Sequence, residues 1–298
     1  MTKVARSWLY VPGNNPERIA KAMTAGADAV VIDLEDAVPP EHKQLARQSA
    51  VRAAETRPTD DGTPRLWVRV NDPMGPWGEA DLDALHGLPL DGIRLPRSQS
   101  AVVVRDVAHR SGLALQLLLE TADGLMNAQD LATAHPLVAG IGLGEADLAA
   151  DLRVVSDEGL VWARGWVVAV ARAAGLQSPI QSVWTNVADI EGLRTSTEHA
   201  RQTGFLGRSV IHPRQIPVVH SVFTPSAEEV EAALAIVETF EHARRHGEVA
   251  VLDDKGRFID PAVVERARLV LEMGDGPSQP SDLPSTPSAA ASPHQETS

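Results

Sequence analysis

Between Ser7 and His212 one pattern recurs: a short apolar run, a turn, then a stretch with helical spacing. The runs are SWLYVP (7–12), DAVVIDLED (28–36), RLWVRVND (65–72), GIRLPR (92–97), LALQLLLET (113–121), LVAGIGLGEADL (137–148), SVWTNV (182–187) and FLGRSVIH (205–212). Near-continuous Val, Ile and Leu marks strands covered on both faces, as in a parallel sheet. Parallel neighbours need crossover connections, and the intervening segments have the length and pattern of helices. Eight strand-plus-helix units fit a (β/α)8 TIM barrel, an α/β fold. An open doubly wound sheet is the competing arrangement, and the count of units favours the barrel.

The barrel is expected over residues 1–222, with a C-terminal helical extension over 223–274 that is a candidate subunit-exchange lid. In the extension, SAEEVEAALAIVETFEHARRHG has Glu228 and Glu229 in its first turn and basic residues in its last. VLDDKGRFID and a second helix, PAVVERARLVLEMG, follow. Residues 275–298 are rich in Pro, Ser and Ala and are expected to be disordered. Within the barrel, VWARGWVVAVARAAG is apolar on most faces, with Trp162 and Trp166 one turn apart. Packing against the barrel wall and a subunit contact both account for that pair.

Composition removes several function classes. With no cysteine, there are no disulfides, thiolate metal sites or thiol nucleophiles. A net charge of −13 and only 4% aromatic residues argue against a nucleic-acid partner. MTKVARSWLYVPGNN has no long apolar stretch behind its basic residues, and no run approaches the roughly 20 residues of a membrane helix. No signal peptide and no membrane span are expected, and the expected location is cytoplasmic.

In a barrel of this kind, functional groups sit at the C-terminal ends of strands. Here those ends are charged: Asp33, Glu35 and Asp36; Arg69, Asn71 and Asp72; Glu120; Glu145 and Asp147; Arg208 and His212. Acids gathered at one mouth repel one another unless a cation joins them. Oxygen donors without cysteine or paired histidines favour a hard ion such as Mg²⁺, and Glu120 and Asp147, on successive strands, are the best pair. The bland alternative is that each acid caps the helix after it. Arg69, in WVRVN, is either a structural ion-pair partner or a forked donor for a carboxylate or developing oxyanion. GIGLGE has alternating glycines, but no helix start is expected at the spacing of a dinucleotide-binding turn. His212, in IHPRQ, is read as structural or as supporting the site from behind.

The chain resembles the citrate lyase β-subunit-like enzymes of the HpcH/HpaI aldolase group. The resemblance is carried by RSWLYVPGNNPER (6–18), DAVVIDLEDAV (28–38), WVRVND (67–72), LLLETADG (117–124), GLGEADLAADL (142–152) and GFLGRSVIHPRQI (204–216), with VARAAGL and GRFID in support. It extends from residue 6 to about 273. It implies Mg²⁺ held by Glu120 and Asp147, Arg69 on the substrate, and Glu35 and Asp36 close behind the metal. It implies a homotrimer or hexamer and cleavage of a carbon–carbon bond in a coenzyme A or acyl-carrier thioester, such as malyl, citramalyl or citryl. Asp260, in GRFID, matches the acid that protonates the enolate carbon, and a plain helix cap is the alternative. Arg97 and Arg208 stand where the family often has lysine, and Arg208 is expected among the substrate contacts. A thioesterase on the same scaffold, the β subunit of an acyl-carrier citrate lyase complex and an aldolase acting on free keto acids are the rival functions.

Overall fold

The computed structural model describes residues 4–58, 60, 62–248 and 250–274. It divides into two compact units, Met1–Thr224 and Pro225 onward. The expectation for the tail, 275–298, lies outside the described residues.

The first unit is built on eight parallel strands: β1 Ser7–Pro12, β2 Ala29–Asp33, β3 Arg65–Arg69, β4 Gly92–Leu95, β5 Leu115–Leu119, β6 Val138–Leu143, β7 Ile180–Gln181 and β8 Gly207–Val210. Hydrogen bonding runs in the order β6-β5-β4-β3-β2-β1-β8-β7, with helices between successive strands. This is the expected (β/α)8 barrel. At the β6–β7 seam the Ser182 hydroxyl donates to the Leu143 carbonyl at 2.6 Å.

Strand pleating sends alternate side chains into the barrel. Its lower interior holds Ala5, Trp8, Ala29, Val31, Trp67 and Ile180 as one apolar cluster. The Trp8 and Trp67 rings lie 5.2 Å apart. Two indoles in a small barrel need a missing side chain opposite. Gly92 provides it, since a Cβ there would fall 2.3 Å from the Trp67 ring.

Two sequence expectations are corrected. The seventh strand is Ile180–Gln181 and not 182–187. SVWTNV has too few apolar residues to extend it, and Asn186 closes a turn by accepting from the Ala188 N–H at 3.3 Å. The sixth strand stops at Leu143, and a helix, Glu145–Asp151, begins straight after Gly144. A helix start does therefore follow the alternating glycines. Glu145 and Asp147 occupy its first turn, where the helix dipole favours carboxylates.

The helix Val161–Ala173 buries Ala163, Val167, Val170 and Ala171. Trp166 packs inward, its Nε1 donating to the Leu125 carbonyl at 3.1 Å, whereas Trp162 remains 59% exposed. Their rings stack at 6.1 Å.

The second unit has a helix Ala227–Arg245 capped by Ser226, whose hydroxyl accepts from the Glu229 N–H while the Glu229 carboxylate accepts from the Ser226 N–H. The short antiparallel pair Val251–Leu252 and Phe258–Ile259 leads into the helix Pro261–Met273. Phe240, Ile259 and Val264 form the core of this unit.

Candidate active site

The barrel mouth gathers charge from the ends of β2, β3, β5 and β6. Arg69, the last residue of β3, points its Nε and Nη2 at the two oxygens of Asp33, both at 2.7 Å. Its Nη1 lies 2.9 Å from Glu35 and 3.1 Å from Asp36. Asp33 also accepts from the backbone N–H groups of Glu35 and Ala37, both at 3.0 Å. Asp33 is thus fully partnered and 1% exposed. It fixes Arg69 and the start of the acidic loop. Burial disfavours a charged Arg69, but Asp33 and the other acids outweigh it and hold its pKa well above the ordinary value.

Lys43 fixes that loop from behind. Its Nζ donates to the carbonyls of Leu34 (2.7 Å) and Glu35 (2.8 Å) and to Asn71 Oδ1 (2.6 Å). Asn71 is in turn held by Asp81, which Arg47 pairs from the other side. The sequence reading missed Lys43. Its only signal was a lysine in the first turn of a helix following an acidic strand end.

Glu120 follows β5 directly and is 5% exposed. Among the described residues one hydrogen bond reaches its side chain, from the Arg97 backbone N–H to Oε2 at 2.8 Å. Arg97 adopts a left-handed φ of 46° to aim that N–H. Gly144 makes room on the other side: a Cβ there would fall 2.4–2.9 Å from Glu120 atoms. Asp147 stands exposed in the adjacent helix turn. Burial pushes Glu120 up to about 7, against the pull of the Arg97 N–H and Arg69, and Asp147 and Asp36 add to the rise. Glu35 goes up to about 8, from burial first and then from Glu120, Asp36 and Asp33, with Arg69 opposing. Glu35 Oε2 is buried and, although near Arg69, lacks an aligned hydrogen bond.

The mouth therefore holds five acids, Asp33, Glu35, Asp36, Glu120 and Asp147, around the Arg69 guanidinium, which is already committed to Asp33. Such a layer is short of positive charge. Among the described residues no cluster of three or more His, Cys, Asp or Glu is disposed around a metal position. Mg²⁺ does not need one, because it takes one or two carboxylates and completes its shell with water and substrate oxygens. The donor set fits it.

Of the residues singled out in the sequence, Glu35, Asp36, Arg69, Glu120 and Asp147 come together here. Arg208 does not face the mouth. On β8, Ser209 turns inward and Arg208 outward, 2% exposed, donating to the hydroxyls of Ser196 and Thr197 at 3.1 Å and lying over Trp184. The expectation of a substrate contact is corrected accordingly. Glu145 is paired with Arg164. His212 caps the turn Pro213–Gln215 through Nδ1, which supports its structural reading. Asp260 lies in the second unit, where Oδ1 accepts from the Val263 N–H at 2.9 Å and caps the last helix.

Residues 6–213 match the HpcH/HpaI aldolase/citrate lyase family. The chain belongs to that family. Membership makes it an enzyme of the aldolase and lyase kind. A (3S)-malyl-CoA thioesterase of Cereibacter sphaeroides is 38% identical over 279 residues, 91% of this chain and 94% of the relative. The citrate lyase subunit beta of Leuconostoc mesenteroides subsp. cremoris is 32% identical over 288 residues, 92% of this chain and 94% of its own. The solved structure of CitE from Mycobacterium tuberculosis, in complex with magnesium, acetoacetate and coenzyme A, superposes with a TM-score of 0.74 at 30% identity. It covers 91% of this chain and 98% of its own. A citrate lyase beta subunit from the same organism, complexed with oxaloacetate and magnesium, gives 0.66 at 32% identity over 74% and 98%. Family membership and fold follow from these matches together with the strand order already described.

Proposed function

We propose that this enzyme is a magnesium-dependent carbon–carbon lyase that cleaves or forms a short 3-hydroxy-diacid thioester of coenzyme A by retro-Claisen chemistry. The observation that carries the reading is Glu120: a nearly buried carboxylate beside Asp147, given one hydrogen bond and held under-ionised by its surroundings. Structures of relatives with magnesium, coenzyme A and small keto acids support it.

Glu120 and Asp147 would hold the Mg²⁺, which supplies positive charge to the substrate's carboxylate and hydroxyl oxygens. In the cleavage direction the hydroxyl gives its proton to water at the open mouth and the carbon–carbon bond breaks. The electron pair passes to the thioester enolate, and an acid returns a proton to the enolate carbon. Arg69 offers fixed positive charge to oxygen as the negative charge shifts. Its bond to Asp36 is the one a substrate carboxylate can replace, because Asp36 is 68% exposed whereas Asp33 is buried. Glu35 stands behind this layer. Asp260 is carried forward as the acid on the family resemblance. Asn caps a helix as well as Asp does. Asp260→Asn should therefore leave stability unchanged while suppressing carbon–carbon cleavage; unaltered cleavage would leave Asp260 as a cap alone. A trimeric or hexameric assembly is carried forward likewise and is read by sedimentation equilibrium. Among the described residues no helix is long and apolar enough to cross a membrane.

Thioester hydrolysis is the second reading, favoured by the name of the 38% identical relative. Malyl-, citramalyl- and citryl-CoA incubated with the purified chain, with and without Mg²⁺, separate the two. A keto acid plus acetyl-CoA marks the lyase. Free coenzyme A plus the hydroxy acid marks the hydrolase. Turnover by the chain alone would argue against a role restricted to an acyl-carrier complex.

A further inference from the structure

Arg94 is a second guanidinium inside the barrel, and it is in a different state from Arg69. It neighbours Arg69 in the β3–β4 register and points to the same interior. It is 2% exposed. Among the described residues its side chain makes one hydrogen bond, from Nη1 to the Ser209 hydroxyl at 3.0 Å. The faces of Trp8 and Tyr10 lie 5.5 Å from it. Its Nε has no partner, and among the described residues it has no carboxylate. A buried cation with neutral partners only is costly to keep.

Room has been left beside this charge. Gly140, Gly142 and Gly144 all face the interior from β6 and its end. A Cβ at Gly140 would strike the Gln116 amide at 2.6 Å, and one at Gly144 would strike Glu120 at 2.4 Å. At Gly142 the nearest atoms would be the Ile180 carbonyl at 3.6 Å and Arg94 Nη2 at 4.0 Å, an ordinary contact. Packing does not demand a glycine there, and its absent side chain leaves a methyl-sized gap against the guanidinium. One strand repeat further up, Gly144 lies against Glu120. The Tyr10 ring lies against both Arg69 and Arg94, so the two guanidinium groups are neighbours around one side chain.

We propose that Arg94 is a specificity-determining residue that binds a second carboxylate on the keto-acid half of the substrate. The enzyme then favours thioesters whose keto-acid product is a dicarboxylate of the oxaloacetate type over those yielding a monocarboxylate of the pyruvate type. This rests on the function proposed above and selects, among the thioesters tested there, the citryl type, which keeps two free carboxylates. Arg69 can take a carboxylate only through Nη1, in place of Asp36, because Nε and Nη2 are committed to Asp33; Arg94 has an unspent donor for a second one.

The test is calorimetric titration of the full chain in saturating magnesium with pyruvate and with oxaloacetate, which differ by one carboxylate. A charge-assisted contact should favour oxaloacetate by roughly tenfold or more in the native protein. Arg94→Leu should equalise the two acids. Because Arg94 has no acidic partner to strand, the variant should fold. Gly142→Ala, which fills the space and keeps the charge, should weaken oxaloacetate while sparing pyruvate. Equal affinities in the native protein, or a preference that survives Arg94→Leu, would overturn the inference while leaving the lyase reading intact. Binding of neither acid would overturn the lyase reading, and the inference with it.

Discussion

The two ends of the barrel hold partly buried carboxylates in opposite condition. At the N-terminal end Asp28 accepts from the Arg6 backbone N–H at 2.7 Å and from its Nε and Nη2 at 3.0 Å, with His220 Nε2 3.5 Å away. Burial pushes this carboxyl up, but the hydrogen bonds from His220 and Arg6 outweigh it and hold it well below the usual carboxylate range. At the mouth, Glu120 has one N–H and Glu35 an unaligned oxygen, and both rise to about 7 and about 8. The same residue chemistry serves stability where every oxygen is partnered within the chain. It is left open where a ligand is to complete the set.

The comparison breaks most visibly in activity. Glu120→Gln or Asp147→Asn should lower magnesium-dependent turnover on the order of a thousandfold, measured as kcat with excess metal. Neither should unfold the protein, and Glu120→Gln should be at least as stable as the native chain without metal. Asp28→Asn should do the reverse, costing about 2–4 kcal/mol in a denaturant titration with turnover unchanged.

The pH dependence of stability should also differ in sign. A depressed carboxylate such as Asp28 contributes stability above its ordinary pKa, and that contribution disappears as pH falls through and below it. The raised Glu35 and Glu120 act oppositely: the metal-free native state holds protons that the unfolded chain releases. Their favourable contribution is complete below about 4.5 and is lost as pH rises through about 7 and 8. Thermal melting of metal-free protein from pH 5 to 8.5 should show the fall, and added Mg²⁺ should reverse it. The smallest effect belongs to Asp36→Ala. Its exposed pair with Arg69 should be worth less than about 1 kcal/mol in stability, read by the same denaturant titration.

Strand positions were legible because a parallel strand covered on both faces is apolar throughout, and β1 and β3 begin where the sequence reading put them. The gathering of Glu35, Asp36, Arg69, Glu120 and Asp147 was legible for a related reason: barrel closure brings strand ends together whatever their separation in sequence. Arg208 was misread because a strand's faces alternate. Being near the end of β8 did not say which face it takes, and the inward place belongs to Ser209. The glycines of GIGLG were discounted as a dinucleotide turn, yet glycine in a strand also signals close approach of another group. Gly140 and Gly144 clear Gln116 and Glu120 of the neighbouring strand β5 and its end, contacts that no local window contains. Lys43 and Arg94 stayed hidden because their partners come from several strands and loops.

The central claim is that Glu120 and Asp147 together hold a magnesium ion, and titrating Mg²⁺ into metal-free protein by calorimetry tests it most directly. The account predicts one ion per chain in the native protein and no binding in the same concentration range for Glu120→Gln or Asp147→Asn. Native affinity in either variant would contradict it.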